Sequence, residues 1–220
     1  MPAGTLTFLF TDIEGSTALW EQDGARMSQA LAAHDAFARS AVERHRGEVV
    51  KMIGDGMHAV FEDALDALRA TVDLQERLAE ATATNEVPLH VRCGLHTGLV
   101  ERRDNDYFGS TVNRAARIMS AAHGGQMLVS GVVAETLQKR LPPTFALRDL
   151  GSVRLKDLSA PEHIYQVLHP QLRQDFPALR SLEATPNNLP QQATTFIGRE
   201  KELTEVRSLL ARARLLTLTG

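Results

Sequence analysis

The sequence predicts an α+β fold in which helices pack on a largely antiparallel sheet. Three observations predict it. Short β-type runs alternate with stretches of helical periodicity, in the order β, α, β, β, α, β, α, β and then further β. A Gly54-Asp55-Gly56 turn joins two strands directly, which a doubly wound parallel sheet would not allow. All of this patterning lies in residues 1–169 and fades in the Pro-, Gln- and Asn-rich stretch 170–195.

The run TLTFLF at 5–10 is β-branched and aromatic on both faces, so it predicts a buried strand that ends at the polar TDIEGST, with Asp12 at its C-terminal end. Ser16 or Thr17 can cap a long amphipathic helix whose apolar positions Met27, Ala30, Leu31, Phe37, Ala38, Ala41 and Val42 continue until Gly47. EVVKMI and MHAVFE then predict a hairpin around the Asp-Gly pair, placing Asp55 at its tip. A second helix starts at Asp63, with Ala64, Ala67, Leu68, Leu74 and Leu78 on one stripe. LHVRCGLHTGLV at 89–100 predicts a strand, ERRDNDYFG a charged loop, and TVNRAARIMSAA a helix stopped by Gly124 and Gly125. MLVS is a further strand, 132–140 a short helix, and two last β segments are expected around Leu155 and Ile164.

Composition excludes several classes of function. The 220 residues carry 24 Lys and Arg against 27 Asp and Glu, a formal charge of −3, so nothing favours a nucleic-acid backbone as partner. Cys93 is the only cysteine, which excludes an internal disulfide or a cysteine-rich zinc site. No apolar run approaches the ~18 residues that span a bilayer, and residues 1–9 lack a basic stretch before an apolar one. The expectation is a cytoplasmic protein with no membrane partner.

Asp12 and Asp55 end two β segments that the hairpin topology can set side by side, each near glycine. Two carboxylates plus phosphate oxygens suit Mg²⁺ or Mn²⁺. Either residue alone reads better as a turn or capping aspartate. The segments FTDIEGST, VVKMIGDGM and DYFGSTVNRAARI together are more specific. In that order and at those separations they resemble the three motif regions of the class III nucleotide cyclases, the adenylate and guanylate cyclase catalytic domain. The resemblance runs from Leu6 to about Leu168 and includes RLKDL and EHIYQV.

The resemblance implies a ferredoxin-like βαββαβ core that acts as a head-to-tail homodimer, with ATP or GTP as substrate. It implies that Asp12 and Asp55, helped by the Ile13 carbonyl, hold two Mg²⁺ or Mn²⁺ ions. Lys51 and Asp106 would read the purine: lysine donates to adenine N1 and a carboxylate accepts from the adenine amino group, whereas guanine presents the opposite pattern at both. That pair selects ATP. Asn113 would orient the ribose, Arg117 would meet charge on the α-phosphate, and Lys156 in RLKDL would hold the triphosphate. The expected activity is that of an adenylate cyclase. The alternative is a catalytically silent cyclase-like module that binds nucleotide or dimerises to regulate a downstream ATPase or transcription regulator. A diguanylate cyclase is disfavoured because its GG-acidic-acidic hairpin is absent.

Several neighbours have blander expected roles. Asn113 and Arg117 share a helix face four residues apart, and Arg114 points elsewhere. Glu14 is expected to complement the dipole of the following helix. His58 and His96 show no metal spacing and read as structural, as does Cys93. In the C-terminal stretch, FIGREKELTEVRSLLARA at 196–213 predicts a charged helix, and TTFIGREKEL followed by LLTLTG resembles the entry to a P-loop ATPase module, cut before any Walker lysine; an amphipathic tail packing on the domain is the alternative. The expected organisation is a catalytic domain at 1–169, a linker at 170–195 and the truncated start of that module at 196–220.

Overall fold

The computed structural model describes residues 4–84, 89–103, 106–181 and five positions between 204 and 212. The chain divides into two compact units, Met1–Thr185 and Pro186–Gly220. The expected C-terminal helix and the P-loop-like strand lie almost entirely outside the described residues.

The first unit is built on β1 (Gly4–Ile13), α1 (Ser16–Gln22), α2 (Gly24–Arg44), β2 (Glu48–Ile53), β3 (Gly56–Phe61), α3 (Ala64–Thr84) and β4 (Val91–Arg103). It continues with β5 (Asp106–Phe108), α4 (Ser110–Ala121), β6 (Met127–Ser130), α5 (Gly131–Leu137), β7 (Ala146–Val153) and β8 (Glu162–Leu168). The sheet order is β2-β3-β1-β4-β6-β8-β7, with β5 paired to β4 alone. Only the β4–β6 pair is parallel; the other described pairings are antiparallel. Reading β1-α2-β2-β3-α3-β4 as one unit, the sheet runs fourth, first, third, second strand, which is the ferredoxin-like arrangement and matches the α+β expectation.

The register assigns each strand residue to a face. Leu9, Ile13, Met57, Ala59, Phe61, Val91, Cys93 and Leu95 turn toward α2 and α3 and form the main core with Met27, Ala38, Leu68 and Leu74. The stripe read from the sequence in α3 is the buried one: Leu68 and Leu74 are at most 1% exposed. Truncating either to Ala would cost about 2–5 kcal/mol. The opposite face carries Phe8, Phe10, His58, Val60 and His96, and α4 lies over it through Thr111, Ala115 and Ile118.

Four local expectations are corrected. The single helix expected from Ser16 breaks at Asp23, whose extended backbone (φ −156°) ends α1 while its side chain accepts the Arg26 N–H at 3.0 Å and starts α2. Within the charged loop expected at 101–109, residues 101–103 instead end β4 and pair with β5, as Arg102 lies opposite Tyr107. Leu155 is buried beyond the end of β7, followed by Asp157 in the left-handed region at φ 61°. In the β2–β3 hairpin the Ile53–Gly56 pair closes a loop of Gly54 and Asp55, so the loop pair is Gly-Asp rather than Asp-Gly. Gly54 supplies the positive φ of 60° there. Gly56 serves a different need, because a Cβ on it would lie 2.5 Å from the Thr11 carbonyl oxygen.

Candidate active site

Asp12 is not in an exposed turn. It is the penultimate residue of β1, opposite Arg92 of β4. Thr11 pairs with Met57 and its hydroxyl accepts the Met57 N–H at 3.1 Å, so Asp12 reaches the sheet end at which the Gly54-Asp55 loop turns. Backbone pairing therefore places both candidate carboxylates, and the Ile13 carbonyl between β1 and α1, at one edge.

Asp12 already faces a cation in the protein itself. The Arg92 Nε donates to its Oδ2 at 2.7 Å, and the pair is about three-quarters buried. Sequence reading missed Arg92. The signal was its even spacing from Gly94 and His96 along β4, which puts it on the α4 face, but its cross-strand partner lies 80 residues away. Among the described residues no cluster of three or more His, Cys, Asp or Glu could hold a metal. Two carboxylates and a carbonyl are nevertheless a fitting donor set for an ion that takes its remaining oxygens from phosphates and water.

Lys51 pairs with His58 across the β2–β3 hairpin and therefore projects onto the α4 face. There its Nζ lies 2.6 Å from the Asp106 Oδ2, at the start of β5. The Lys51 hydrogen bond holds the Asp106 carboxyl below its ordinary pKa, helped by the Tyr107 N–H, which donates to it at 2.9 Å. The two expected base readers are thus in contact within one chain.

His58, expected to be structural, lies beside this pair. Its ring is fully buried, stacked on Phe10 with centroids 4.4 Å apart, and neither ring nitrogen has a protein partner. Burial, and then the nearby Lys51 ammonium, lower its pKa to about 4, so it is neutral at physiological pH.

The α4 helix sets the third group. Gly94 and Gly98 of β4 let it approach: a Cβ at Gly94 would lie 2.2 Å from the Met119 backbone nitrogen, and one at Gly98 would lie 2.6 Å from the Thr111 hydroxyl. Asn113 is exposed on the outer side of α4, and Arg117 one turn later donates to Asp157 at 2.6 Å. That contact brings the turn bearing the exposed Lys156 against α4. Arg114, set aside as pointing elsewhere, binds the largely buried Glu162 at 2.9 Å, and burial raises the Glu162 pKa. Glu14 is not a dipole partner for α1: its carboxylate accepts the Gly124 N–H at 3.1 Å and pairs with Arg180.

The fold and this arrangement define a domain of the nucleotide cyclase class. An adenylate cyclase of Trypanosoma brucei solved in its monomeric state superposes with a TM-score of 0.69 at 31% identity, covering 80% of this chain and 92% of that one. The adenylyl cyclase CyaB of P. aeruginosa gives 0.68 at 25% identity over 80% and 98%. The family described as the adenylate and guanylate cyclase catalytic domain matches residues 1–169, and the chain belongs to it. In sequence it is similar to an uncharacterized protein of Mycobacterium tuberculosis, 40% identical over 92% of this chain and 70% of the relative. It is 31% identical to the receptor-type adenylate cyclase GRESAG 4.1 of Trypanosoma brucei brucei over 81% of this chain, but matches only 18% of that larger protein. Among the described residues no helix is long and apolar enough to cross a membrane.

Proposed function

We propose that the protein is an adenylate cyclase, forming 3′,5′-cyclic AMP and pyrophosphate from ATP at composite sites of a head-to-tail homodimer. The observation that carries the choice of base is the Lys51–Asp106 pair at 2.6 Å. It presents one cationic donor and one carboxylate acceptor side by side, matching adenine N1 and the adenine amino group, and mismatching guanine at both.

In this reading Asp12, Asp55 and the Ile13 carbonyl would hold two Mg²⁺ or Mn²⁺ ions, which supply charge neutralisation and a lowered pKa for the attacking hydroxyl. Lys51 and Asp106 fix the purine. Asn113 orients the ribose so that its 3′ oxygen faces the α-phosphorus. Lys156 holds the triphosphate, and Arg117 leaves Asp157 to meet negative charge developing on the α-phosphate. The 3′ oxygen bonds to the α-phosphorus, the bond from that phosphorus to the bridging oxygen breaks, pyrophosphate leaves with the electron pair, and the hydroxyl proton passes to solvent.

Residues 1–169 form the catalytic domain in this reading; residues 172–181 pack on it, and the linker expected at 170–195 therefore begins only after them. The silent regulatory alternative is not favoured, because every candidate position holds a chemically competent residue and the trypanosomal relatives are adenylate cyclases. The test is direct. The purified chain is incubated with ATP or GTP and Mn²⁺ or Mg²⁺, and cyclic nucleotide and pyrophosphate are quantified. Equimolar cyclic AMP and pyrophosphate are expected, and absence of both cyclic products with either metal overturns the reading.

A further inference from the structure

Three separate stretches of chain meet at Glu14. The residue directly follows Asp12 and Ile13, and its N–H donates to the His90 carbonyl at 2.8 Å, extending the β1–β4 ladder by one step. Its carboxylate takes the Gly124 N–H, in the turn after α4, at 3.1 Å. The fit there is close: a Cβ at Gly124 would lie 2.7 Å from the Glu14 Oε2 and 2.5 Å from the His90 Cβ. The second carboxylate oxygen pairs with the Arg180 guanidinium, from the segment that leads out of the domain.

That outgoing segment, residues 172–181, is strapped across the end of the sheet. The Gln174 carbonyl accepts from buried Gln166 at 2.6 Å and from Arg148 at 3.0 Å. The Ala178 carbonyl lies 2.9 Å from the His123 Nε2, and the Arg180 N–H donates to the Ala121 carbonyl, in the last residue of α4, at 3.0 Å. Leu179 packs on the small core formed by Ile118, Ala121 and Leu128. One strap therefore holds the C-terminal end of the helix bearing Asn113 and Arg117, and also the residue next to Asp12 and Ile13.

We propose that Glu14 and Arg180 are positioning residues that clamp the Asp12–Ile13 end of β1 in the geometry a divalent ion requires. This rests on the metal role proposed for Asp12. The two anchors of the Glu14 side chain support a positioning role. Without Arg180 that side chain is held by the Gly124 N–H alone, so the backbone that presents Asp12 and the Ile13 carbonyl loses one of its fixings. With Arg180 in place the side chain is fixed from two directions.

The experiment measures Mn²⁺ binding by the full chain with 3′-deoxy-ATP, which cannot cyclise, from the paramagnetic resonance signal of free Mn²⁺. Cyclase activity against Mn²⁺ concentration and thermal midpoints are recorded alongside. Arg180→Ala is expected to weaken Mn²⁺ binding about tenfold, and to raise the Mn²⁺ needed for half-maximal activity by a similar factor. Arg180→Lys keeps the charge and should restore most of the binding. Glu14→Gln keeps an acceptor for Gly124 but not the ion pair, and should resemble Arg180→Ala. A lowered midpoint with unchanged Mn²⁺ binding in Arg180→Ala would show that the strap is structural only, and overturns the proposal. Asp12→Ala serves as the control: Mn²⁺ binding that survives it overturns the metal assignment itself, and the clamp falls with it.

Discussion

The Lys51 ammonium and the Asp106 carboxylate, 55 residues apart in sequence, form one ion pair on the α4 face of the sheet. Before a purine can use either group, the base must slide between them or replace one partner with the other. The pair is partly exposed, so its own contribution to stability is small, of the order of 0–1 kcal/mol. In the proposed function its value is to pre-set a donor and an acceptor at a fixed separation.

Base choice follows from that. Wild-type protein should cyclise ATP in preference to GTP, and Lys51→Glu with Asp106→Cys should erode or invert the preference while lowering total turnover. The measurement is kcat/KM for both nucleotides in both proteins. Equal values for ATP and GTP in the wild type would show that these side chains do not read the base.

A second prediction concerns how α4 is positioned. Gly94→Ala would put a methyl group 2.2 Å from the Met119 backbone nitrogen and 2.6 Å from its Cα, so the helix must move outward. Overpacking of this kind costs about 1–3 kcal/mol. Turnover should fall further than the stability loss explains, because α4 carries Asn113 and Arg117. Thermal midpoint and kcat are measured together; a variant with normal kcat would mean that the placement of α4 does not control the chemistry.

What was legible in the sequence was local. The hairpin at Gly54-Asp55, the α3 stripe and the buried first strand follow from turn chemistry and periodicity within a few residues. The missed features are contacts between distant stretches: Asp12 with Arg92 and Glu14 with Arg180 are 80 and 166 residues apart. No single-sequence pattern encodes such partners: cross-strand register joins the first pair, and the packing of residues 172–181 on the domain joins the second. The break at Asp23 is different. Its Asp-Gly signal was present in the sequence, but helical periodicity on both sides masked it.

The buried histidines predict acid sensitivity. Burial first, then Lys51 for His58 and Arg114 for His96, lower both pKa values from 6.5 to about 4. His58 is enclosed by Phe8 and Phe10 with Asp106 also nearby, and the His96 Nδ1 lies 2.8 Å from the Ser130 hydroxyl. Between those two pH values the unfolded chain binds more protons than the folded one. The stability is therefore fully present above pH 6.5 and is lost as pH falls toward 4, by on the order of 3 kcal/mol per histidine. Thermal midpoints from pH 7 to pH 4 should drop more steeply for wild type than for His58→Leu. Parallel curves would show that His58 is not neutral and buried in the folded state.

The last prediction addresses assembly. Asp12 and Asp55 lie at one sheet end, whereas Asn113 and Arg117 lie on α4. In a head-to-tail dimer, the metal-binding edge of one protomer would face the α4 group of its partner, giving two equivalent composite sites. Asp55→Ala and Arg117→Ala should each be inactive alone: the first leaves too little charge to hold two ions against a triphosphate, and the second leaves the α-phosphate charge unmet. Mixed together, a heterodimer rebuilds one complete site, taking Asp55 from the Arg117→Ala chain and Arg117 from the Asp55→Ala chain, while its second site carries both lesions. With free and equal exchange, half the dimers are mixed and each has one of two sites intact, so activity should recover to about a quarter of wild type. A mixture that stays inactive despite demonstrated subunit exchange would mean that the site is assembled within a single chain, and the composite-site reading would have to be abandoned.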